Sequence, residues 1–121
     1  MTFQEFDAYV SLGDQLKRDT SPVILINLFS VDPVESDALL QAWADDAAYF
    51  KTKPGFFSTQ LHHGIAGSGS FLNYAVWESV GHFRQAFSSP EFQSKLARYP
   101  SSTVVRPHLF EKVAVAGICE G

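Results

Sequence analysis

Cysteine is nearly missing from this chain: Cys119 is the one thiol in 121 residues. It cannot close an internal disulfide, and a lone thiol beside the end fits a reducing compartment better than a role as nucleophile. Long apolar runs are also missing, so no segment reads as a membrane span. The opening MTFQEFDAYV lacks the basic stretch and apolar core of a secretory leader, and the expected location is the cytoplasm. Lys and Arg number only nine against thirteen Asp and Glu, and they are scattered. That excludes the basic footprint of a nucleic-acid partner. The four histidines show no His-x-x-x-His spacing and no carboxylate-rich helix pair, so zinc and di-iron sites are excluded on pattern. Neither a Ser-His-Asp order nor a dinucleotide fingerprint occurs, and the glycines around Ser68 suit a hairpin turn better than a phosphate loop.

What the chain has in excess is aromatic surface: eleven Phe, four Tyr and two Trp. Such side chains bury large areas and line both cores and sites for flat ligands. Residues 1–20 carry Phe3, Phe6 and Val10 at helical spacing, with Gly13 interrupting, and read as an N-terminal arm or weak helix. Residues 21–121 read as one domain. Val23 to Phe29 is apolar on both faces, the mark of a buried strand. Asp32-Pro33-Val34-Glu35 starts a helix: Asp32 caps it, Pro33 suits its first position and Glu35 can reach back to the cap. Its core stripe is Leu39, Trp43, Ala47 and Phe50, with Asp37, Gln41, Asp45 and Asp46 elsewhere, and Pro54-Gly55 stops it.

Phe56 to His63 and Phe71 to Trp77, separated by glycines, predict an antiparallel hairpin. Ser79 caps a second helix, a further turn starts at Ser89-Pro90-Glu91, and Thr103 to Val115 forms a last strand with Pro107 at a bulge or edge. The order after the arm is βαββαβ, an α+β ferredoxin-like domain with a four-stranded antiparallel sheet. Its helices can cover only one face of that sheet. Because the central strands are apolar on both faces, a second copy is expected against the other.

Alternation puts Phe71, Asn73, Ala75 and Trp77 on one face of one strand. An amide and an indole among apolar walls, beside a small residue that leaves space, make a plausible small-ligand pocket; core packing is the alternative for each residue alone. Asn27, a lone amide in an apolar strand, is either tied to backbone or reserved for a ligand. His62 is a further candidate if it faces the same pocket.

Pro54-Gly55-Phe56-Phe57-Ser58, then Asn73-Tyr74-Ala75-Val76-Trp77-Glu78-Ser79, then Phe83 and Ser89-Pro90-Glu91, resemble the antibiotic biosynthesis monooxygenase family over about residues 22–115. The resemblance implies a dimeric α+β barrel, hence a homodimer. It is nearest to the members that oxidise anthrone-type polyketides to quinones. That implies a small aromatic phenol or hydroquinone as substrate, O2 as co-substrate, and no metal, flavin or other cofactor. Asn73 and Trp77 match an Asn and a Trp that lie in the substrate cavity of those enzymes, and are the implied catalytic pair. Phe83 stands where they carry a Tyr, and Arg98 is an approximate counterpart of an Arg on their following helix. With Asn27 and His62, these are the expected substrate-binding residues. Quinol monooxygenases form another branch of the same fold. A haem-degrading branch uses an Asn on the first strand, the Trp and a His; Asn27 and Trp77 match, but Phe87 occupies the His position. A haem-binding protein, or a non-catalytic dimeric binder of a small hydrophobic ligand, are the alternatives.

Overall fold

Two strands rich in β-branched and aromatic residues, Val23–Ser30 and Ser70–Trp77, pair at the centre of a five-stranded sheet in the computed structural model, which describes residues 1–121. In chain order the elements are β1 (Thr2–Phe3), α1 (Leu12–Gln15), β2 (Val23–Ser30), α2 (Ser36–Phe50), β3 (Phe56–His63), β4 (Ser70–Trp77), α3 (Val80–Phe87), α4 (Pro90–Lys95) and β5 (Val104–Phe110). Single 3-10 turns at Pro33–Glu35 and Leu96–Arg98 lead into α2 and out of α4. No helix is long and apolar enough to cross a membrane.

Strands β5, β2, β4 and β3 are antiparallel neighbours in that order, the ferredoxin-like arrangement. The expectation of a four-stranded, wholly antiparallel sheet needs correction. β1 adds a fifth strand, parallel to β5, with Thr2 opposite Val104 and Phe3 opposite Val105. The physical reason is local. The Asp7 carboxylate accepts from the N–H groups of Tyr9 and Val10, at 2.6 and 3.1 Å, and so takes donors that a helix through Phe6 would need. Freed from a helix, the first residues satisfy the edge of β5 instead, Gln4 N–H donating to the Val105 carbonyl at 3.0 Å. Helix is delayed to Leu12, where the Ser11 hydroxyl caps it.

Alternation from Val105 turns the backbone polar groups of Pro107 and Leu109 to the same outer edge. Pro107, without an N–H, therefore breaks no ladder bond to β2. Leu109 finds its partner in the Gln15 side chain, which accepts from its N–H and donates to its carbonyl, both at 2.9 Å. The strand ends at Phe110, five residues short of the Val115 expected.

The start expected at Asp32-Pro33 belongs to the 3-10 turn Pro33–Glu35, and α2 itself begins at Ser36 without a side-chain cap of its own. Asp32 caps through Val34, but Glu35 does not bond the cap directly. The Ser102 hydroxyl stands between them, accepting from Asp32 N–H at 3.1 Å and donating to Glu35 at 2.8 Å. Gly55, in the turn after α2, has φ +83°, and a Cβ there would lie 2.3 Å from the His82 ring. Only glycine allows this turn and the close approach of α3.

The helices cover one face of the sheet, and two buried clusters form beneath them. One gathers Leu25, Ala75, Trp77, Val80 and Phe83; the other gathers Phe29, Leu39, Phe71, Tyr99 and Val105. The site draws on both.

Candidate active site

Register builds the floor of the site. Asn27 of β2 lies directly opposite Asn73 of β4, with Leu25 opposite Ala75 and Phe29 opposite Phe71 in the flanking rows. Cross-strand partners share a face, so both amides point to the helix side. There they border a cavity walled by α2, α3, α4 and the first residues of the arm. Its empty volume is about 640 Å³ with the open mouth counted. The space is narrow. Sixteen of its twenty-one lining residues are hydrophobic, Met1 and Phe3 of the arm among them.

Asn73 is 8% exposed, and the Thr59 hydroxyl on β3 donates to its Oδ1 at 2.5 Å. With the oxygen so engaged, the amide N–H groups are left for another acceptor. Asn27 Oδ1 is buried and has no hydrogen-bond partner. Trp77 is 1% exposed and held edge-on by Phe50, Phe56 and Phe83, with ring centroids 5.4–5.7 Å apart. These T-shaped contacts fix the indole without using its N–H.

The structure places Asn27, Asn73, Trp77 and Phe83 on the lining of one cavity, and Phe87 with them. Arg98 and His62 lie outside it. Arg98 is largely exposed, its guanidinium paired with Asp45, which also binds Lys95 at 3.2 Å. Those cations hold the Asp45 carboxyl below its ordinary value, the Lys95 hydrogen bond first. His62 alternates to the opposite face of β3 and is exposed, its ring beside the Leu72 carbonyl at 3.3 Å. No three His, Cys, Asp or Glu side chains come together to hold a metal.

One group on the wall escapes a reading by composition. Asp46 of α2 is 5% exposed; its Oδ2 accepts from the Tyr99 hydroxyl at 2.5 Å, and its Oδ1 is buried without a partner. Burial pushes this carboxyl up to about 6, against the lowering effect of the Tyr99 hydrogen bond. Tyr99 itself is held neutral, raised by burial and then by the charge of Asp46. Its signal was present in the helix period: Asp46 follows Leu39 by two turns and falls on the core stripe. Tyr99 had none, because its place depends on the turn after α4. Asp46 and Tyr99 are the two ionisable side chains on the cavity wall.

Residues 22–97 match the family model of antibiotic biosynthesis monooxygenase. Over 76 residues the chain is 33% identical to deoxynogalonate monooxygenase of Streptomyces nogalater, covering 61% of this chain and 62% of that protein, less than two thirds of its length. Among solved structures it resembles SnoaB, a cofactor-independent oxygenase from Streptomyces nogalater, with TM-score 0.69, 24% identity, and 81% of this chain and 99% of that one covered. A protein from Shewanella loihica superposes equally well, with TM-score 0.69, 27% identity and the same coverage. A conserved protein from Methanosarcina mazei shares the fold at 10% identity, with TM-score 0.65 and 77% of this chain and 94% of that one covered.

Proposed function

The chain belongs to the antibiotic biosynthesis monooxygenase family, and from that premise we propose a cofactor-independent monooxygenase that oxidises a small, flat phenol, hydroquinone or anthrone to a quinone with O2, working as a homodimer. The observation that carries this reading is the pairing of Asn73 and Trp77 in one narrow aromatic cavity, with N–H donors not used by the protein. The names of two relatives, a deoxynogalonate monooxygenase and a cofactor-independent oxygenase, support the same class of reaction.

In this reaction the phenol loses its proton, and the electron-rich anion reduces O2 directly. One oxygen atom enters the ring carbon and the other leaves as water, so a phenol or anthrone plus O2 balances to quinone plus water, and a hydroquinone plus O2 to hydroxyquinone plus water. No step needs an added reductant. The protein's part is to hold the flat ring, exclude bulk water and place fixed donors where negative charge develops. Trp77 and the Asn73 amide are those donors, and Asn27 and Phe83 position the ring. Phe83, without a hydroxyl, leaves the wall beside Trp77 apolar and favours a substrate less oxygenated at that end. Arg98 and His62 take no part, being outside the cavity. The haem reading is disfavoured by Phe87, which stands on the wall where the haem-degrading branch has a histidine.

Oxygen uptake with 1,8-dihydroxyanthrone and hydroquinone tests the proposal. The wild-type protein should consume one O2 per quinone formed, above the uncatalysed background. Asn73→Ala should lower kcat by about 10²–10³-fold, the usual loss on removing a fixed oxyanion donor. Trp77→Phe, which keeps the ring packing, should also lower kcat. Wild-type activity matched by both variants would remove the catalytic assignment.

A further inference from the structure

We propose that Asp46 is the proton acceptor of this cavity: its unpartnered Oδ1 takes the phenolic proton while Tyr99 holds Oδ2 and positions the carboxylate. The proposal rests on the oxygenase reading above and supplies the base that reading lacks. Three observations converge on it. Asp46 is nine-tenths buried yet only half satisfied, an arrangement that core packing alone does not account for. It lies on the wall of the cavity that holds Asn73 and Trp77. The charged groups around it are already committed: Asp45, its neighbour on α2, pairs with Lys95 and Arg98 from the segment packed against that helix. Lys95 and Arg98 favour the Asp46 anion only behind the larger effects of burial and Tyr99, and they do not line the cavity, where Met1, with the amino terminus, is the one residue that carries a cation. No cationic side chain on the wall holds an anionic substrate, and the ligand enters as the neutral phenol.

The step balances. Asp46 accepts the O–H proton as the ring anion forms. After a C–O bond forms to O2, Asp46 returns the proton to the outer peroxide oxygen and is ionised again. The O–O bond then breaks, and hydroxide leaves with the C–H proton as water. A base for this role works best when its affinity for protons lies near the working pH, and burial has moved Asp46 in that direction.

The test compares wild type, Asp46→Asn, Tyr99→Phe and Asn73→Ala. With 1,8-dihydroxyanthrone, Asp46→Asn should lower kcat by about 10²–10⁴-fold with KM nearly unchanged. Wild-type kcat/KM should rise with pH through about 6, and that limb should vanish in Asp46→Asn. Tyr99→Phe should keep the limb but move it to higher pH, because it removes the hydrogen bond that favours the anion. Asp46→Asn with unchanged kcat and the same limb, beside an inactive Asn73→Ala, would overturn the proton acceptor and leave the oxygenase. If wild type oxidises neither substrate, the oxygenase reading falls, and bound 4-nitrophenol decides on Asp46. Ionisation of the probe at higher pH in wild type than in Asp46→Asn places the carboxylate against a bound phenol; identical titration, or no binding, overturns the proposal.

Discussion

At the scale of one residue, a buried carboxyl that binds its proton more tightly in the folded chain alters stability as well as chemistry. Asp46 rises from 3.8 to about 6 on folding, chiefly by desolvation. The folded state therefore holds a proton that the unfolded state has released between these values. The resulting stabilisation is fully present below pH 3.8 and lost as pH rises through about 6. Its size is on the order of 2 kcal/mol once solvent screening is allowed for. Asp46→Asn keeps an acceptor for Tyr99 and carries no charge. At pH 7–8 it should unfold at higher urea than wild type, by about that amount, with the two converging below pH 4. Urea titrations across this range check it; parallel curves would mean that the carboxyl is solvated. The site was partly legible for a related reason. Asn27, Asn73 and Trp77 stood out as polar groups in apolar strands, where alternation alone assigns a face. Asp46 did not stand out, since a charged residue on a helix reads as solvated even when, two turns after Leu39, it falls on the buried stripe. Arg98 and His62 are set by an ion pair with Asp45 and by the far face of β3, and neither is written in local spacing.

At the scale of elements, β2, α2, the β3–β4 hairpin, α3 and β5 were legible from periodicity and caps, because each has a repeat and a stop signal of its own. The arm was not. Phe3, Phe6 and Val10 repeat like a helix, yet Asp7 withdraws the backbone donors and the open edge of β5 offers a ladder instead. Phe6 then stacks on His108 at 5.6 Å. The edge was the missing information, and it lies a hundred residues away. The junction between α2 and β3 shows the opposite case, where one short signal, Pro54-Gly55, fixes how two helices meet. Gly55→Ala would force a Cβ into the left-handed region and to within 2.3 Å of His82. The expected loss is about 1–3 kcal/mol, read as a lower urea midpoint. Adding His82→Ala should recover the part due to the clash and leave the part due to φ. An unchanged midpoint in Gly55→Ala would show that the turn relaxes freely.

At the scale of the whole molecule, the proposed homodimer is tested at the sheet face turned away from the helices. Ile24, Ile26 and Leu28 on β2 and Leu72 and Val76 on β4 are half-buried there, and Tyr74 is 39% exposed beside them. Phe6 shelters only the corner at His108 and Phe110. Apolar side chains gathered on one sheet face in this way mark an interaction surface. A second copy presents the same face, so two-fold packing covers both at once. Light scattering on the purified protein at micromolar concentration should therefore give twice the 13.4 kDa of one chain. Leu72→Asp puts a charge in the middle of that face without touching the cavity side, because its side chain alternates away from Asn73. It should shift the mass to that of a single chain while the Trp77 environment persists in near-ultraviolet circular dichroism. A wild-type mass of 13.4 kDa would refute the paired-sheet assembly and leave the cavity argument standing, since every wall of the cavity comes from one chain.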